Sequence, residues 1–292
     1  MNEWSRFSLI GRRNFLMIPA GLAALAGASN LAMNDPVSSL PVPDSAPKQA
    51  EADRKQIPVT SWRTLESGFH NGPTTHFDEL DPEQYMAGVS AAHTGCVVVQ
   101  TKSHWGYAYY NTKVGSRHPN LNYDLVARMI EAGHRRGLAV VAYYSGQVDT
   151  QSAIKNPEWM GRNPDGTPTW LGRQFAWCCH HTPYREYAIG MYREIFSQYD
   201  FDGLFIDGAP WPRWVADPLC YCPACEGRYE RDTSEPFRKG LDDYQGYRKR
   251  LEWLQNSSEE YLDEVYRTVH ESHPGLPIWL NQGDPFDMST RV

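Results

Sequence analysis

The clearest chemical signal in the sequence is an acidic residue at the end of an apolar run. Residues 203–206 form a short apolar pattern typical of a buried β-strand, and Asp207 and Gly208 follow it directly. A carboxylate at the carboxyl end of a strand can attack an anomeric carbon or transfer a proton. Gly208 allows the backbone to turn away and a substrate to come close. The alternative interpretation is a structural aspartate that caps the following helix or turn.

Polar and aromatic residues also follow the other strand patterns. Lysine and histidine supply hydrogen-bond donors for sugar hydroxyls, and a tryptophan ring supplies a flat stacking face. The expected substrate-binding residues are His70, Lys102, His104, Trp105, Tyr143 and Asn281. Of the adjacent Tyr143 and Tyr144, we expect one to face the carboxyl end of the sheet and the other to pack behind it. The alternative is a set of hydrogen-bonded loops with a packed tryptophan.

Hydrolysis of a glycosidic bond requires a second carboxyl group, which the sequence does not identify. The two groups lie about 5–5.5 Å apart in retaining enzymes and about 6.5–9.5 Å apart in inverting ones. Asp149, beyond the third strand pattern, and Asp284 and Asp287, beyond the fifth, are the candidates. Without a second carboxyl group the chain would be a carbohydrate-binding barrel with no catalytic activity, which is one rival prediction.

The cysteines are concentrated in one short turn. Cys220, Cys222 and Cys225 supply three of the four thiolate or imidazole ligands of a tetrahedral zinc site. The fourth ligand is expected among Cys178, Cys179, His180 and His181. A site closed in this way is structural, because it leaves no open position for catalysis. Disulfide bonds and free buried thiols are the alternatives, and an exported metallohydrolase that uses His180 and His181 is a second rival prediction.

Strand patterns alternate with helical patterns along most of the chain. The strand patterns cover residues 63–70, 96–101, 139–144, 203–207 and 277–281. The helical patterns cover residues 82–92, 121–136, 184–199 and 244–270. This alternation predicts a parallel sheet covered on both faces. An open doubly wound sheet usually has a Gly-rich phosphate turn after its first strand, and this sequence has none there, so we predict a TIM-type (β/α)₈ barrel.

The length of the domain bears on how much of the barrel the sequence contains. A closed barrel has eight strands and typically about 250 residues. Only five strand patterns follow the N-terminal region, and the sequence stops soon after the fifth. We therefore expect the barrel domain to span residues 59–292 and to be truncated after about five strands.

The N-terminal region has the character of an export signal. Residues 1–34 contain Arg12 and Arg13, an apolar run from Phe15 to Ala26, and a small-residue cleavage pattern, which together resemble a twin-arginine signal. An ordinary secretory signal and an uncleaved anchor are the alternatives. The proline-rich residues 35–58 are expected to be a disordered linker.

The predicted partners follow from this signal and from the charge. The twin-arginine export machinery is an expected partner, the location is periplasmic or extracellular, and no stable membrane span remains after signal cleavage. The net charge of −7, with no basic run beyond the N-terminus, excludes nucleic-acid binding. A carbohydrate substrate is expected, and no organic cofactor.

Two blocks of the sequence resemble known families. The motif Lys102-Ser103-His104-Trp105-Gly106-Tyr107, the segment 110–119 and the segment 142–145 resemble hypothetical glycosyl hydrolase 6, and more distantly the α-L-fucosidase barrels. A second block, from Cys179 to Cys225, is also similar to this group. Its cysteine turn is similar to the zinc cluster of barrel β-galactosidases, in which a cysteine before a Pro-x-Tyr-Arg-like run joins the three clustered ones.

The resemblance implies a (β/α)₈ barrel that cleaves a glycoside with retention. In fucosidases the aspartate that ends strand four is the nucleophile, and Asp207 matches it. Their paired histidines on strand two bind the sugar; here Ser103 replaces the first, so only His104 matches and fucose specificity is not implied. The β-galactosidases have a glutamate acid/base near Asp207, so their mechanism does not carry over. Their zinc cluster points to Cys179 as the fourth ligand.

Overall fold

The computed structural model of the protein describes residues 15–17, 63–67, 70–208, 219–239 and 244–281. Its strands are β1 (Phe15–Met17), β2 (Thr64–Glu66), β3 (Cys96–Lys102), β4 (Tyr107–Ala108), β5 (Ser116–Arg117), β6 (Ala139–Ser145), β7 (Trp170–Leu171), β8 (Phe175–Ala176), β9 (Gly203–Asp207) and β10 (Ile278–Leu280). Its α-helices are α1 (Pro82–Ala91), α2 (Leu125–His134), α3 (Thr150–Lys155), α4 (Tyr184–Gln198), α5 (Pro223–Thr233) and α6 (Tyr244–Ser272). A 3₁₀ helix covers Pro157–Trp159.

One mostly parallel sheet forms the centre of the fold. Its order is β1-β2-β3-β6-β9-β10, and all of these neighbours are parallel. β4 adds to β3 in the antiparallel direction and pairs with β5, while β7 and β8 form a separate antiparallel hairpin. The predicted parallel sheet is confirmed. Within the described part of the chain β1 and β10 lie at the two ends of this order, and closure into eight strands stays a prediction.

The central strands are apolar because both of their faces are covered. One face forms an inner cluster of buried side chains from four strands, comprising Cys96, Val98, Ala139, Val141, Tyr143, Phe205 and Trp279. The opposite face packs against the helices in a larger core. Gly203 belongs to the inner face, where a Cβ would lie 2.4 Å from the Trp279 ring, so the missing side chain makes room for the indole.

Aspartate side chains begin three of the helices. Asp81, Asp124 and Asp149 each accept a hydrogen bond from a backbone N–H in the first turn of the following helix, at 2.8–2.9 Å. Such caps satisfy N–H groups that have no partner inside the helix. None of the described helices combines the length and apolar character that a membrane span requires.

The predicted elements of the barrel domain match those of the structure to within a few residues at their ends. The sequence did not indicate the short strands β4, β5, β7 and β8 or the helices α3 and α5. It also did not indicate β1, which lies inside the predicted export signal and pairs with β2. Cleavage of that signal would remove β1 from the sheet. The rest of residues 1–62 lies outside the described residues, so the export signal and the linker stay predictions.

Candidate active site

The register of the parallel strands gathers several predicted residues at one edge of the sheet. Asp207, the last residue of β9, pairs with Ser145, the last residue of β6. Asn281 directly follows β10, and its backbone N–H donates to the Ile206 carbonyl at 2.8 Å. The carboxyl ends of parallel strands meet at such an edge, which is where α/β enzymes place their chemistry.

The carboxylate of Asp207 is held through both of its oxygens. Oδ1 accepts hydrogen bonds from the Gly208 backbone N–H and from Asn281 Nδ2, each at 2.8 Å. Oδ2 accepts one from the Tyr143 hydroxyl. The side chain remains 20% exposed. Three donors thus orient the carboxylate, and only one of them, the Gly208 N–H, is a backbone group next to it in the chain. The carboxylate still reaches solvent.

The backbone around Asp207 is fixed from the neighbouring strand. The Gly146 N–H donates to the Asp207 carbonyl at 2.6 Å, and the Gln147 N–H donates to the Gly208 carbonyl at 3.2 Å. A Cβ on Gly146 would lie 2.7 Å from the Gly208 carbonyl oxygen, so only glycine fits there. Gly208 has a φ of +67°, in the region that glycine adopts without strain.

Two histidines stack beside the carboxylate. The rings of His70 and His104 have centroids 3.8 Å apart, and the His104 backbone N–H donates to His70 Nδ1 at 3.4 Å. Burial, with smaller contributions from His70 and Lys102, lowers the pKa of His104 to about 2. His104 is therefore neutral at physiological pH.

Hydrogen bonding selects one tautomer of this neutral ring. The Ser145 hydroxyl donates to the Val148 carbonyl at 2.7 Å, so its oxygen accepts from His104 Nδ1 at 2.8 Å. The other ring nitrogen, Nε2, then carries a lone pair and lies 3.6 Å from Asp207 Oδ2. Two acceptors that face each other in this way form a binding position for a hydroxyl group or a water molecule.

An aromatic wall borders the histidines. Phe175, in the β7–β8 hairpin, has its ring centroid 5.3 Å from those of His104 and Trp105 and 6.0 Å from that of His70. Trp105 is half-buried. The sequence analysis missed Phe175, because a two-residue strand has no periodicity; the only signal was an aromatic residue shortly after a glycine turn at Gly172.

The predicted pair of tyrosines divides between the two faces of β6. Tyr143 reaches Asp207, whereas the Tyr144 ring packs against Tyr192 with centroids 4.1 Å apart. Burial, together with the Asp207 carboxylate, raises the pKa of Tyr143 well above its usual value, so its hydroxyl remains a donor.

Lys102 requires a correction. The expectation that it binds the sugar does not agree with its position, because its side chain is fully buried and its Nζ lies 3.1 Å from Asp149 Oδ2. The ammonium also donates to the Val148 carbonyl at 3.3 Å. Asp149, one of the candidates for the second carboxyl group, is equally buried and is used in this ion pair. Asp284 and Asp287 lie outside the described residues.

Loss of one partner of this buried ion pair is expected to destabilise the protein strongly. Lys102→Met leaves the Asp149 carboxylate buried without a counter-charge, which typically costs about 3–5 kcal/mol. In Lys102→Met/Asp149→Asn the charge is absent and the amide oxygen can still cap α3, so we expect much of the loss to be recovered. Urea denaturation of the three proteins measures both effects. A single variant as stable as the wild type would contradict the assigned ion pair.

The structure contains a carboxyl group that the sequence analysis did not single out. Glu66, the last residue of β2, is half-buried. Burial, and secondly the Asp207 charge, raise its pKa from the usual 4.5 to about 7. The strand pattern around it was the weakest of the five, and a three-residue strand gives too little alternation to assign a face.

The four cysteines predicted as zinc ligands converge. The sulfur atoms of Cys179, Cys220, Cys222 and Cys225 all lie within 4.8 Å of one another, and all four cysteines are free. Cys179 Sγ and Cys225 Sγ are 3.3 Å apart. Tetrahedral zinc with sulfur ligands at about 2.3 Å places the sulfurs roughly 3.8 Å from each other, so this donor set fits the metal.

The other residues near Cys179 have different partners. Cys178 Sγ lies 3.5 Å from the Asp149 carbonyl, and His180 Nδ1 lies 2.7 Å from Gln147 Nε2. His181 Nδ1 lies 3.0 Å from Cys225 Sγ, at the margin of the cysteine cluster. Among the residues that the structure describes, His180 and His181 do not join a converging group of metal-type ligands, so the geometry does not favour a catalytic metal there.

Two of the solved structures with a similar fold are an α-L-fucosidase and a glycoside hydrolase domain. α-L-Fucosidase isoenzyme 2 from Paenibacillus thiaminolyticus is 24% identical, with a TM-score of 0.64, over 78% of this chain and 34% of that chain. The PgaB (BpsB) glycoside hydrolase domain from Bordetella bronchiseptica is 11% identical, with a TM-score of 0.58, over 75% of this chain and 64% of that chain. This chain thus spans about a third of the fucosidase. These likenesses establish the fold.

No curated protein matches the chain. A family model, however, matches the residues around the site. The family model described as hypothetical glycosyl hydrolase 6 matches residues 81–208, which contain the Lys102–Tyr107 motif and Asp207. The resemblance to hypothetical glycosyl hydrolase 6 that the motifs predict is therefore confirmed over residues 81–208.

Proposed function

We propose that the protein is an exported retaining glycoside hydrolase with Asp207 as the nucleophile. The observation that carries this proposal is the geometry of the Asp207 carboxylate, which is partly exposed and oriented by Tyr143, Asn281 and the Gly208 amide. An Asp207 oxygen attacks the anomeric carbon while the glycosidic C–O bond breaks. The electron pair of that bond goes to the leaving oxygen, which takes a proton. Water then releases the sugar and frees the carboxylate.

The surroundings of the carboxylate suit a sugar ring. The lone pair on His104 Nε2, facing Asp207 Oδ2 at 3.6 Å, accepts a hydrogen bond from a sugar hydroxyl. The half-buried rings of Trp105 and Phe175 supply an apolar face for the C–H side of the ring. His70, which accepts from the His104 backbone N–H through Nδ1, presents Nε2–H as a donor. α-L-Fucosides and β-D-galactosides are the first glycosides to test, because blocks of the sequence resemble enzymes that cleave them.

A screen of chromogenic glycosides tests the activity. We expect the full chain to hydrolyse at least one 4-nitrophenyl glycoside, and an activated fluorosugar of the same configuration to inactivate it with a one-to-one mass increase. Peptide mapping should place the added sugar on Asp207. Sugar binding without hydrolysis and without an adduct would contradict the proposal and favour a carbohydrate-binding barrel.

We also propose that structural zinc occupies the cluster of Cys179, Cys220, Cys222 and Cys225. The metal would join the segment before α4 to the start of α5, for which Cys222 is the N-cap residue. Support comes from the convergence of four free thiols, three of them fully buried. Export by a twin-arginine signal is compatible with this metal, because that route carries folded proteins and zinc can bind before export.

A further inference from the structure

The strand register places Glu66 on the inner face of the sheet. Glu66 pairs with Val98 of β3, and Val98 pairs with Val141 of β6. Side chains at paired positions of neighbouring strands point to the same face. Val98 and Val141 belong to the inner cluster, together with Tyr143. Glu66 therefore faces the same interior as the tyrosine that holds Asp207.

Glu66 and Asp207 interact electrostatically across this interior. The Asp207 charge adds to burial in favouring the neutral form of Glu66, and Glu66 in turn contributes to the raised pKa of Tyr143. Tyr143 of β6 and Asp207 of β9 are thus titratable groups coupled to Glu66, and Cys96 of β3 lies on the same inner face. Two carboxyl groups whose environments separate their protonation states are the arrangement that glycosidases use.

The buried side chain of Gln100, on the same inner face, has no hydrogen-bond partner among the described residues. Gln100 follows Val98 on the inner face of β3, pairs with Tyr143 and is only 3% exposed. Neither its amide nitrogen nor its amide oxygen has a hydrogen-bond partner among the described residues. Buried amides are almost always satisfied, so this one points to a bound water or a ligand hydroxyl between β2 and β6.

We infer that Glu66 is the second catalytic carboxyl group, which acts first as the general acid and then as the general base. The inference rests on the proposed function and deepens it. The Glu66 carboxyl proton passes to the glycosidic oxygen as the C–O bond breaks and Asp207 bonds to the anomeric carbon. The Glu66 carboxylate then takes a proton from water as the water oxygen attacks that carbon. The Asp207–carbon bond breaks, and its electron pair returns to the carboxylate.

Substrates with different leaving groups test whether Glu66 acts as a general acid. We compare Glu66→Gln with the wild type on 2,4-dinitrophenyl and 4-methylumbelliferyl glycosides of the sugar found in the screen. The dinitrophenolate leaves without protonation, so kcat/KM for this substrate, which reports only the first step, should change by less than about tenfold. For the poorer leaving group, kcat/KM should fall by about 10²–10⁴-fold. Glu79→Gln, at an exposed loop position, is the matched control and should behave as wild type.

The pH profile gives a second readout. A general acid must be protonated, so kcat/KM of the wild type should fall above a pKa of about 7, and Glu66→Gln should lose this limb. Equal losses on both leaving groups, or a retained basic limb, would overturn the role of Glu66 and leave the nucleophile proposal intact. An active Asp207→Asn variant would instead overturn the proposed function.

The titration of Glu66 can be measured without any substrate. Carboxyl ¹³C NMR of the full chain, assigned with Glu66→Gln, should show one glutamate with a pKa near 7, and Asp207→Asn should lower that pKa. A Glu66 pKa near the usual 4.5 would overturn the inference even if no tested glycoside is cleaved.

The same shift predicts how stability depends on pH. Because the folded-state pKa lies above the unfolded value, the wild type loses stability as the pH rises from about 4.5 through about 7. Glu66→Gln cannot ionise, so its Tm relative to the wild type should increase between pH 4.5 and pH 8. Thermal melts across this range, with Glu79→Gln as the control, provide the measurement. A constant Tm difference would contradict the raised pKa of Glu66.

Discussion

Asp207→Asn is expected to lower kcat/KM for a chromogenic glycoside by on the order of 10³-fold or more, since a neutral amide cannot form the glycosyl ester. The replacement has almost the same shape, so its oxygen can still accept a hydrogen bond from Tyr143 or Asn281. The far-UV circular dichroism spectrum and the Tm should therefore stay close to those of the wild type. Steady-state kinetics and thermal melts on the same preparations test both statements.

A smaller residue at this position gives a sharper version of the experiment. Asp207→Gly opens space for an external anion, so azide should restore turnover of a dinitrophenyl glycoside and yield a glycosyl azide of inverted configuration. Asp78→Asn, at an exposed aspartate of the loop before α1, is the matched control and should keep wild-type activity. Wild-type turnover by Asp207→Asn would rule out the assigned nucleophile.

Removal of one cysteine of the zinc cluster is the prediction with the largest effect on stability. Cys222→Ser leaves three thiolates, and we expect it to bind zinc weakly and to unfold at a much lower temperature. Structural zinc sites contribute about 10–16 kcal/mol of binding free energy in small peptides, so a loss on the order of 4 kcal/mol or more is expected here. Elemental analysis gives the zinc content, and urea denaturation gives the free energy of unfolding.

A buried cysteine outside the cluster supplies the control. Cys178→Ala should leave one zinc per chain, because Cys178 lies next to Asp149 and outside the group of four. A strong chelator should lower the Tm of the wild type and of Cys178→Ala, but change that of Cys222→Ser little. A zinc-free wild type with an intact mass lower by two or four hydrogens would establish disulfide bonds instead.

The apolar strands were predictable because their composition follows from burial on both faces. Continuous β-branched runs over β3 and β6 fixed the position of both strands, and the apolar residues of β9 placed Asp207 at its carboxyl end. The ends of the strand patterns also predict Tyr143 and Asn281 as site residues. The contact of both with Asp207 depends on the register between three strands, which a single sequence does not contain.

Lys102 shows why an extrapolated strand pattern fails at its end. The register between β3 and β6 shifts between Gln100 and Lys102, so that Lys102 pairs with Tyr144 instead of Ser145. A one-residue shift moves a side chain to the other face of the sheet. Lys102 Nζ accordingly lies 5.0 Å from the centre of the Tyr144 ring, on the helix-covered face. The residues around this bulge do not predict it.

Glu66 escaped prediction for a different reason. Its significance depends on a charge that is distant in sequence, on a different strand, and the three residues of β2 hold too few apolar positions to define which side is buried. Phe175 was missed for the same reason. The β7–β8 hairpin, which places the Phe175 ring next to His104, is distant from His104 in the sequence. Contacts of this kind become visible only when the strands are assembled.

The glycine at position 146 has a consequence for how this scaffold can diversify. Gly146 and Gln147, which follow β6, hold the backbone of Asp207 and Gly208, so the backbone that carries the carboxylate is fixed by residues that precede it in the chain. The anchoring of this backbone therefore does not depend on the residues that follow Gly208. Directed evolution on this scaffold should leave Gly146 untouched.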